Sequence, residues 1–225
     1  MSLDTLKTKV GKLIEKAQSV GGDTFKNLIQ EYIYNNCKGA GAYDAVFVFR
    51  NTSVKDVSMF DFSAVQNMSN AFASTKIEEI ELDATNFINM NSTFRLCRDL
   101  KRVVIKNMNS KTTSVTGMCA FCTSLESIEG LDFSGCTSKI DIGSGDGIVF
   151  RDCSLLKEVR IVENSIKVSI NFGFCPLLSA ESIQNIIDGL ATVETAKTLT
   201  LHANVKTKLT QTQLDTITGK NWNLA

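Results

Sequence analysis

Between residues 54 and 178 the apolar positions of this chain fall into a frame that is written several times. Phe94, Cys97, Leu100, Val103 and Ile105 recur as Phe150, Cys153, Leu156, Val159 and Ile161 at the same offsets, while the letters between them change. A constant apolar frame with variable filling places the frame in a core and the filling in solvent. Cys119, Cys122, Leu125 and Ile128 make a third copy, with Cys in the Phe slot and a drift at Gly130. Phe72, Ile77, Ile80 and Leu82 make a fourth, one residue short and without the Cys, and Phe172, Cys175 and Leu178 keep only the first half before Pro176. The stretch ahead of the frame repeats as well: Val65, Met68, Phe72 is answered by Phe87, Met90, Phe94 and more faintly by Thr112, Val115, Cys119.

Candidate strands therefore begin near Val57, Ile80, Val103, Ile128 and Val159, with spacings of 23, 23, 25 and 31 residues. The last spacing carries an insertion at 141–147, DIGSGDG. Alternations as short as Val103 to Ile105 cannot bury a face alone, so each copy must be completed by stacking on the next. The pattern predicts an α/β repeat solenoid.

Several stretches also resemble the BspA-like leucine-rich repeats of many bacterial and some protozoan proteins: MSNAF, NMNSTFRLCRDLKRVVI, CAFCTSLESIEGLDFSGC, and the DFS that occurs at 61–63 and 132–134. The resemblance spans residues 54–178. It implies a leucine-rich-repeat right-handed superhelix with one parallel sheet, and binding of proteins or surfaces rather than catalysis. The copies at Phe72, Cys119 and Gly130 depart from the family pattern.

Both ends carry helical patterns suited to closing such a stack. Leu3, Leu6, Val10, Leu13 and Ala17 are spaced 3, 4, 3, 4, and Phe25, Leu28, Ile29, Tyr32 and Ile33 follow after SVGGD. Residues 1–42 thus read as a helical hairpin, either a cap on the first coil or a coiled-coil seam joining two copies of the chain into a homo-oligomer. Residues 43–178 hold the repeats. In the closing segment, 179–225, Ser179 caps a helix bearing Ile183, Ile186, Ile187 and Leu190, and TLTLHA alternates like a strand. Thr210 and Gln213 form a capping box ahead of Leu214 and Ile217, Gly219 ends that helix, and Trp222 covers the last coil. This segment resembles the end of leucine-rich-repeat proteins from prophage tail regions of gut Firmicutes.

Charge removes some partners. Lys+Arg 24 against Asp+Glu 24 gives a net charge of +0, so no global field draws nucleic acid or an anionic membrane. The N-terminus mixes lysines with apolar residues and has no secretory signal pattern, and no run reaches the roughly 20 apolar residues of a membrane span. Seven cysteines, an odd number, fit free thiols in a reducing compartment. The expectation is synthesis in the cytoplasm, with virion association following from the tail resemblance.

Catalytic chemistry finds little support. The one histidine, His202, has no acid or nucleophile motif beside it and is expected to face solvent. Cys119 and Cys122 spell C-x-x-C, but the repeat frame accounts for both, and no second pair completes a zinc site. The column Cys97, Cys122, Cys153, Cys175 reads as a buried ladder. The insertion glycines Gly143, Gly145 and Gly147 lack the lysine of a phosphate loop. Asp141, Asp146 and Asp152 offer oxygen ligands at a spacing that matches no calcium loop, so a flexible insertion is expected. No catalytic residue, metal site or cofactor is predicted.

What remains is a binding face on the sheet. Glu78, Lys101, Glu126 and Lys157 alternate in sign from copy to copy, and the outward residues Glu81, Arg102, Val104, Glu129 and Arg160 form the candidate site. Arg102 and Arg160 are its only residues of the type that anchors interfaces. The expected function is a non-enzymatic protein-interaction or structural module of a tail-associated assembly. A bacterial surface adhesion protein is the alternative, and an enzyme acting at the 143–147 insertion is the alternative of another class.

Overall fold

A computed structural model describes residues 30, 49–137 and 147–225. The stripes Leu3, Leu6, Val10, Leu13, Ala17 and Phe25, Leu28, Ile29, Tyr32, Ile33 lie outside the described residues, as does the insertion apart from Gly147. Four strands, β1 (Glu79–Asp83), β2 (Arg102–Lys106), β3 (Ser127–Leu131) and β4 (Glu158–Ile161), form a parallel sheet in chain order. A second parallel sheet holds β5 (Ile170–Phe172), β6 (Lys197–Leu201) and β7 (Trp222–Leu224). The described helices are α1 (Ala180–Gly189), α2 (Ala203–Lys206) and α3 (Gln211–Gly219).

The register is that of the repeated frame. Ile80 stands opposite Val103, Val103 opposite Ile128, and Ile128 opposite Val159. These residues, with Leu82, Ile105, Leu131 and Ile161 two or three places on, point into one continuous core, while the residues between them stay partly or fully exposed. The Phe slot stacks too: the Phe72 and Phe94 rings lie 5.9 Å apart and nearly parallel, and the Phe150 and Phe172 rings 5.0 Å apart.

A second hydrogen-bond ladder runs through the segments ahead of the strands. The N–H groups of Met68, Asn70, Phe72 and Ser74 donate to the carbonyls of Asn89, Asn91, Thr93 and Arg95 at 2.7, 2.9, 2.9 and 2.8 Å. Met90, Ser92, Phe94 and Leu96 donate onward to Ser114, Thr116, Met118 and Ala120, and Gly117, Cys119 and Phe121 to Gly147, Val149 and Arg151. From the Phe72 copy to the Phe150 copy, each is therefore bonded to the next along two lines, which satisfies backbone groups that the core would otherwise leave unpaired. The DFS motif also has a local cause. The Asp61 carboxylate accepts the Ser63 N–H and that of Asp132 accepts the Ser134 N–H, both at 2.8 Å, closing turns that Asp83 and Thr85 repeat at 2.9 Å.

Two expectations need correction. The candidate strand at Val57 is a turn: the Asp56 carboxylate accepts the Ser58 N–H at 2.7 Å, and the Phe60 N–H donates to the Val57 carbonyl. Instead of one sheet there are two, because α1 occupies the outer edge of β4. Ser182 Oγ accepts the Val159 N–H at 2.9 Å and Asn185 Oδ1 accepts the Ile161 N–H at 2.6 Å, so the groups that would have paired with a fifth strand are already bound. Residues 179–225 supply β6, at the TLTLHA stretch expected to be a strand, and β7. Within them Ser179 caps α1, Thr210 and Gln213 form a capping box on α3, and Trp222 is buried at the start of β7 with its indole N–H donating to the Ala191 carbonyl at 2.8 Å.

Gly130 places a bulge in β3, where the two residues between Ile128 and Leu131 stand opposite the one between Val159 and Ile161. Its φ is +81°, and a Cβ there would meet the Ile105 carbonyl oxygen at 1.9 Å. Gly130→Ala is expected to destabilise the fold by about 2–4 kcal/mol, from backbone strain together with overpacking. Urea denaturation checks this, and a loss below half a unit in that scale would mean that the bulge relaxes freely.

Candidate functional site

The five residues of the candidate sheet-face site stand on the outward side of β1 to β4. Glu81 pairs with Val104, and Val104 with Glu129, in neighbouring strands. The two arginines are engaged within the face itself: Arg102 reaches Glu129 at 3.0 Å and Arg160 reaches Glu181 of α1 at 2.6 Å. Lys106 holds Glu81. The alternating column also forms pairs, Lys101 with Glu78 at 2.7 Å and Lys157 with Glu126 at 3.2 Å. The Lys101 ammonium lowers the Glu78 carboxyl below its ordinary range, and Glu78 in return raises Lys101. All these groups are substantially exposed, so the pairs set register and neutralise the face more than they stabilise it. Ser58, which follows Val57 as Glu81 follows Ile80, lies in the turn that replaces the first strand.

Behind the sheet lies the thiol column, fully buried as expected and unbridged. Its geometry explains the residue type. In each copy the carbonyl in the Phe slot accepts the N–H three residues on, as Phe94 does from Cys97 at 3.0 Å. A carbonyl has a second lone pair, and the thiol of the next copy fills it. Cys97 Sγ donates to Phe72 at 2.9 Å, Cys122 to Phe94 at 3.0 Å, Cys153 to Cys119 at 3.1 Å and Cys175, more loosely, to Phe150 at 3.9 Å. In the copy that lacks the Cys, Thr75 takes the slot and its hydroxyl bonds the Phe72 carbonyl at 2.8 Å. Burial pushes the thiols of Cys97 and Cys136 up to about 12 and raises those of Cys119 and Cys153 as well. Such thiols are poor nucleophiles and poor metal ligands.

His202 is half-buried rather than solvent-facing, and its Nδ1 accepts the Asn204 N–H at 3.1 Å to cap α2. Lys220 was not singled out from sequence. Its ammonium lies at the C-terminus of α1 and donates to the carbonyls of Ile187, Asp188 and Leu190 at 3.1, 3.2 and 2.6 Å, where the helix dipole favours a cation. Burial lowers its pKa, against the pull of Asp188 and Glu163. Also unsuspected is a row of arginine and phenylalanine beside the sheet. Arg95 lies over Phe121 at 5.3 Å, and Arg151 over both Phe121 and Phe174 at 5.5 and 5.4 Å. The arginines sit one place and the phenylalanines two places after the Phe slot, and they look like filler until the copies are stacked.

Among the described residues no helix is long and apolar enough to cross a membrane. The buried thiols generate a prediction with a definite sign. Unfolded thiols ionise near pH 8.5 while Cys97 and Cys136 stay neutral in the fold to about 12. The stability they confer is complete below the unfolded value and is lost as pH rises through this window, by up to about 1.4 kcal/mol per pH unit for each thiol. The urea midpoint should fall between pH 7.5 and pH 10, and by less in Cys97→Ala/Cys136→Ala; an identical decline in both proteins would contradict this origin. No family model, no curated protein and no solved structure matches the chain.

Proposed function

We propose that the chain is a leucine-rich-repeat-type solenoid that works as a non-enzymatic protein-interaction or structural module. The observation that carries this reading is the doubled backbone ladder. Consecutive copies are joined at the strands and again ahead of them, so the outward side chains of successive copies stand in rows on a stiff frame. A frame of that kind recognises a partner by presenting a row of side chains over an extended surface. The likeness of residues 179–225 to prophage tail proteins makes a tail-associated assembly the setting in which to look for that partner.

The sheet face, with Glu81, Arg102, Val104, Glu129 and Arg160, is one candidate row. Its arginines meet a partner only by giving up Glu129 and Glu181, and such an exchange of ion pairs adds little affinity.

The test is isolation of the tagged chain at native expression level, under low and moderate salt, with the mass of each complex measured in solution. A complex with another protein at fixed stoichiometry, lost when the chain is unfolded beforehand, is the expected result. Recovery of the chain alone at every ionic strength would overturn the reading.

A further inference from the structure

Helix α1 leaves its last carbonyls to be satisfied from elsewhere. Its last turn holds no basic residue, and the chain leaves it through Leu190 in extended backbone, without the left-handed turn that would fold further donors back onto it. The donors come from the end of α3 instead. Lys220, Asn221 and Trp222, consecutive in the chain, all reach back to residues 187–194. Lys220 Nζ donates to Ile187, Asp188 and Leu190, the buried Trp222 indole to Ala191 at 2.8 Å, and Asn221 Nδ2 to Val193 and Glu194, both at 2.9 Å.

The Lys220 contacts have the form of an ion site. The carbonyls of Ile187, Asp188 and Leu190 lie 3.1, 3.2 and 2.6 Å from Nζ, and Asn164 Oδ1 adds a fourth oxygen at 3.5 Å. Asn164 stands on a turn held alongside the helix end, its own N–H bonded to Asp188 and that of Ile166 to Gly189. Three carbonyl acceptors take up all three hydrogens of an ammonium, whereas a neutral amine has only two to give. The cage oxygens belong to neutral groups, and the carboxylates of Asp188 and Glu163 attract Nζ from a distance. Neutral carbonyl oxygens suit a monovalent cation, while calcium draws carboxylates into contact.

We propose that this cage is a monovalent-cation site which the chain fills with its own Lys220 ammonium, and that the filled site locks β7 to α1. One side chain then ties together the helix that closes the edge of β4, through Ser182 and Asn185, and the strand that completes the second sheet. Without the ammonium, carbonyl oxygens face one another at the negative end of the α1 dipole. A free potassium ion or a small primary ammonium has the charge and the size to take the lysine's place. The lock is independent of the partner the chain binds.

Trp222 is the one tryptophan of the chain, so its fluorescence reports on this spot alone. Lys220→Ala should lower the thermal midpoint by about 4–8 °C, because it leaves half-buried carbonyls without donors. It should also make Trp222 several-fold more open to quenching by acrylamide. Methylammonium chloride and potassium chloride should restore both properties. Tetramethylammonium chloride at the same concentration should not, since that ion has no N–H and is too large for the cage. The native chain should respond to the three salts alike, its cage being full. Lys208→Ala, which removes a lysine bonded to the single carbonyl of Leu178 at 3.2 Å, should show no selective rescue. If Lys220→Ala does not fold in buffer, folding regained in methylammonium or potassium but not in tetramethylammonium supports the same assignment, and Lys220→Gln, which keeps two N–H donors, repeats the comparison in a milder variant. A Lys220→Ala chain as stable and as resistant to quenching as the native one, a loss that no cation restores, equal rescue by tetramethylammonium, or rescue by calcium alone would overturn the proposal.

Discussion

Backbone pairing between successive copies is the constraint on which the rest of this molecule depends. None of the seven described strands exceeds five residues, and strands this short are not stable alone in water. Each copy must find its hydrogen-bond partners in the next, once at the strand and again at the left-handed turns of Asn70 and Ser74, Ser92 and Leu96, Gly117 and Phe121. The core follows from that pairing. Once the backbones are in register, Phe72 falls against Phe94 and Ile80 beside Val103, and a slip of one residue would turn each strand's apolar residues toward solvent. Cysteine suits its slot for the same reason, being small, apolar and able to give one weak hydrogen bond to the carbonyl of the copy before it.

A stack bonded in this way has unsatisfied backbone at any edge, and side chains meet that need at two places. Gln30 pairs with both backbone groups of Asp61, its amide donating to the Asp61 carbonyl and its oxygen accepting the Asp61 N–H, each at 2.7 Å. At the other end of the first sheet Ser182 and Asn185 of α1 accept from β4. Ser182 also donates to Glu158, so the hydroxyl that closes the sheet edge is itself held in place. These contacts imitate a further strand with side-chain oxygens, which blunts an edge that would otherwise pair with another chain.

Much of the fold could be read from the sequence because repetition makes register visible. Two copies of Phe, Cys, Leu, Val and Ile at equal offsets determine which residues lie opposite one another, and Gly130 marked the copy that bulges. The parts that stayed hidden depend on what lies beside a residue rather than along the chain from it. Ser182 and Asn185 look like ordinary polar helix positions until β4 is known to lie alongside. Val57 alternates like a strand, but Asp56 bends the chain there. β5 and β7 have three residues each, too few for a period to show. The Arg–Phe row needs two different positions of the repeat to meet across neighbouring copies, Arg95 over Phe121 and Arg151 over Phe174, and no single copy displays that. On the sheet face the reverse holds: the charges stood in clear columns, yet their mutual pairing makes the face less available than the columns suggest.

Amide hydrogen exchange of the native chain tests the doubled ladder most directly. If successive copies are joined along both lines, the amides of Met90, Ser92, Phe94 and Leu96 exchange as slowly as those of Val103 and Ile105 in β2, because opening either line requires separating the same two copies. Exchange of the Met90, Ser92, Phe94 and Leu96 amides at the rate of an open chain, with β2 still protected, would show that only the strands hold the copies together and would contradict the stacking described here.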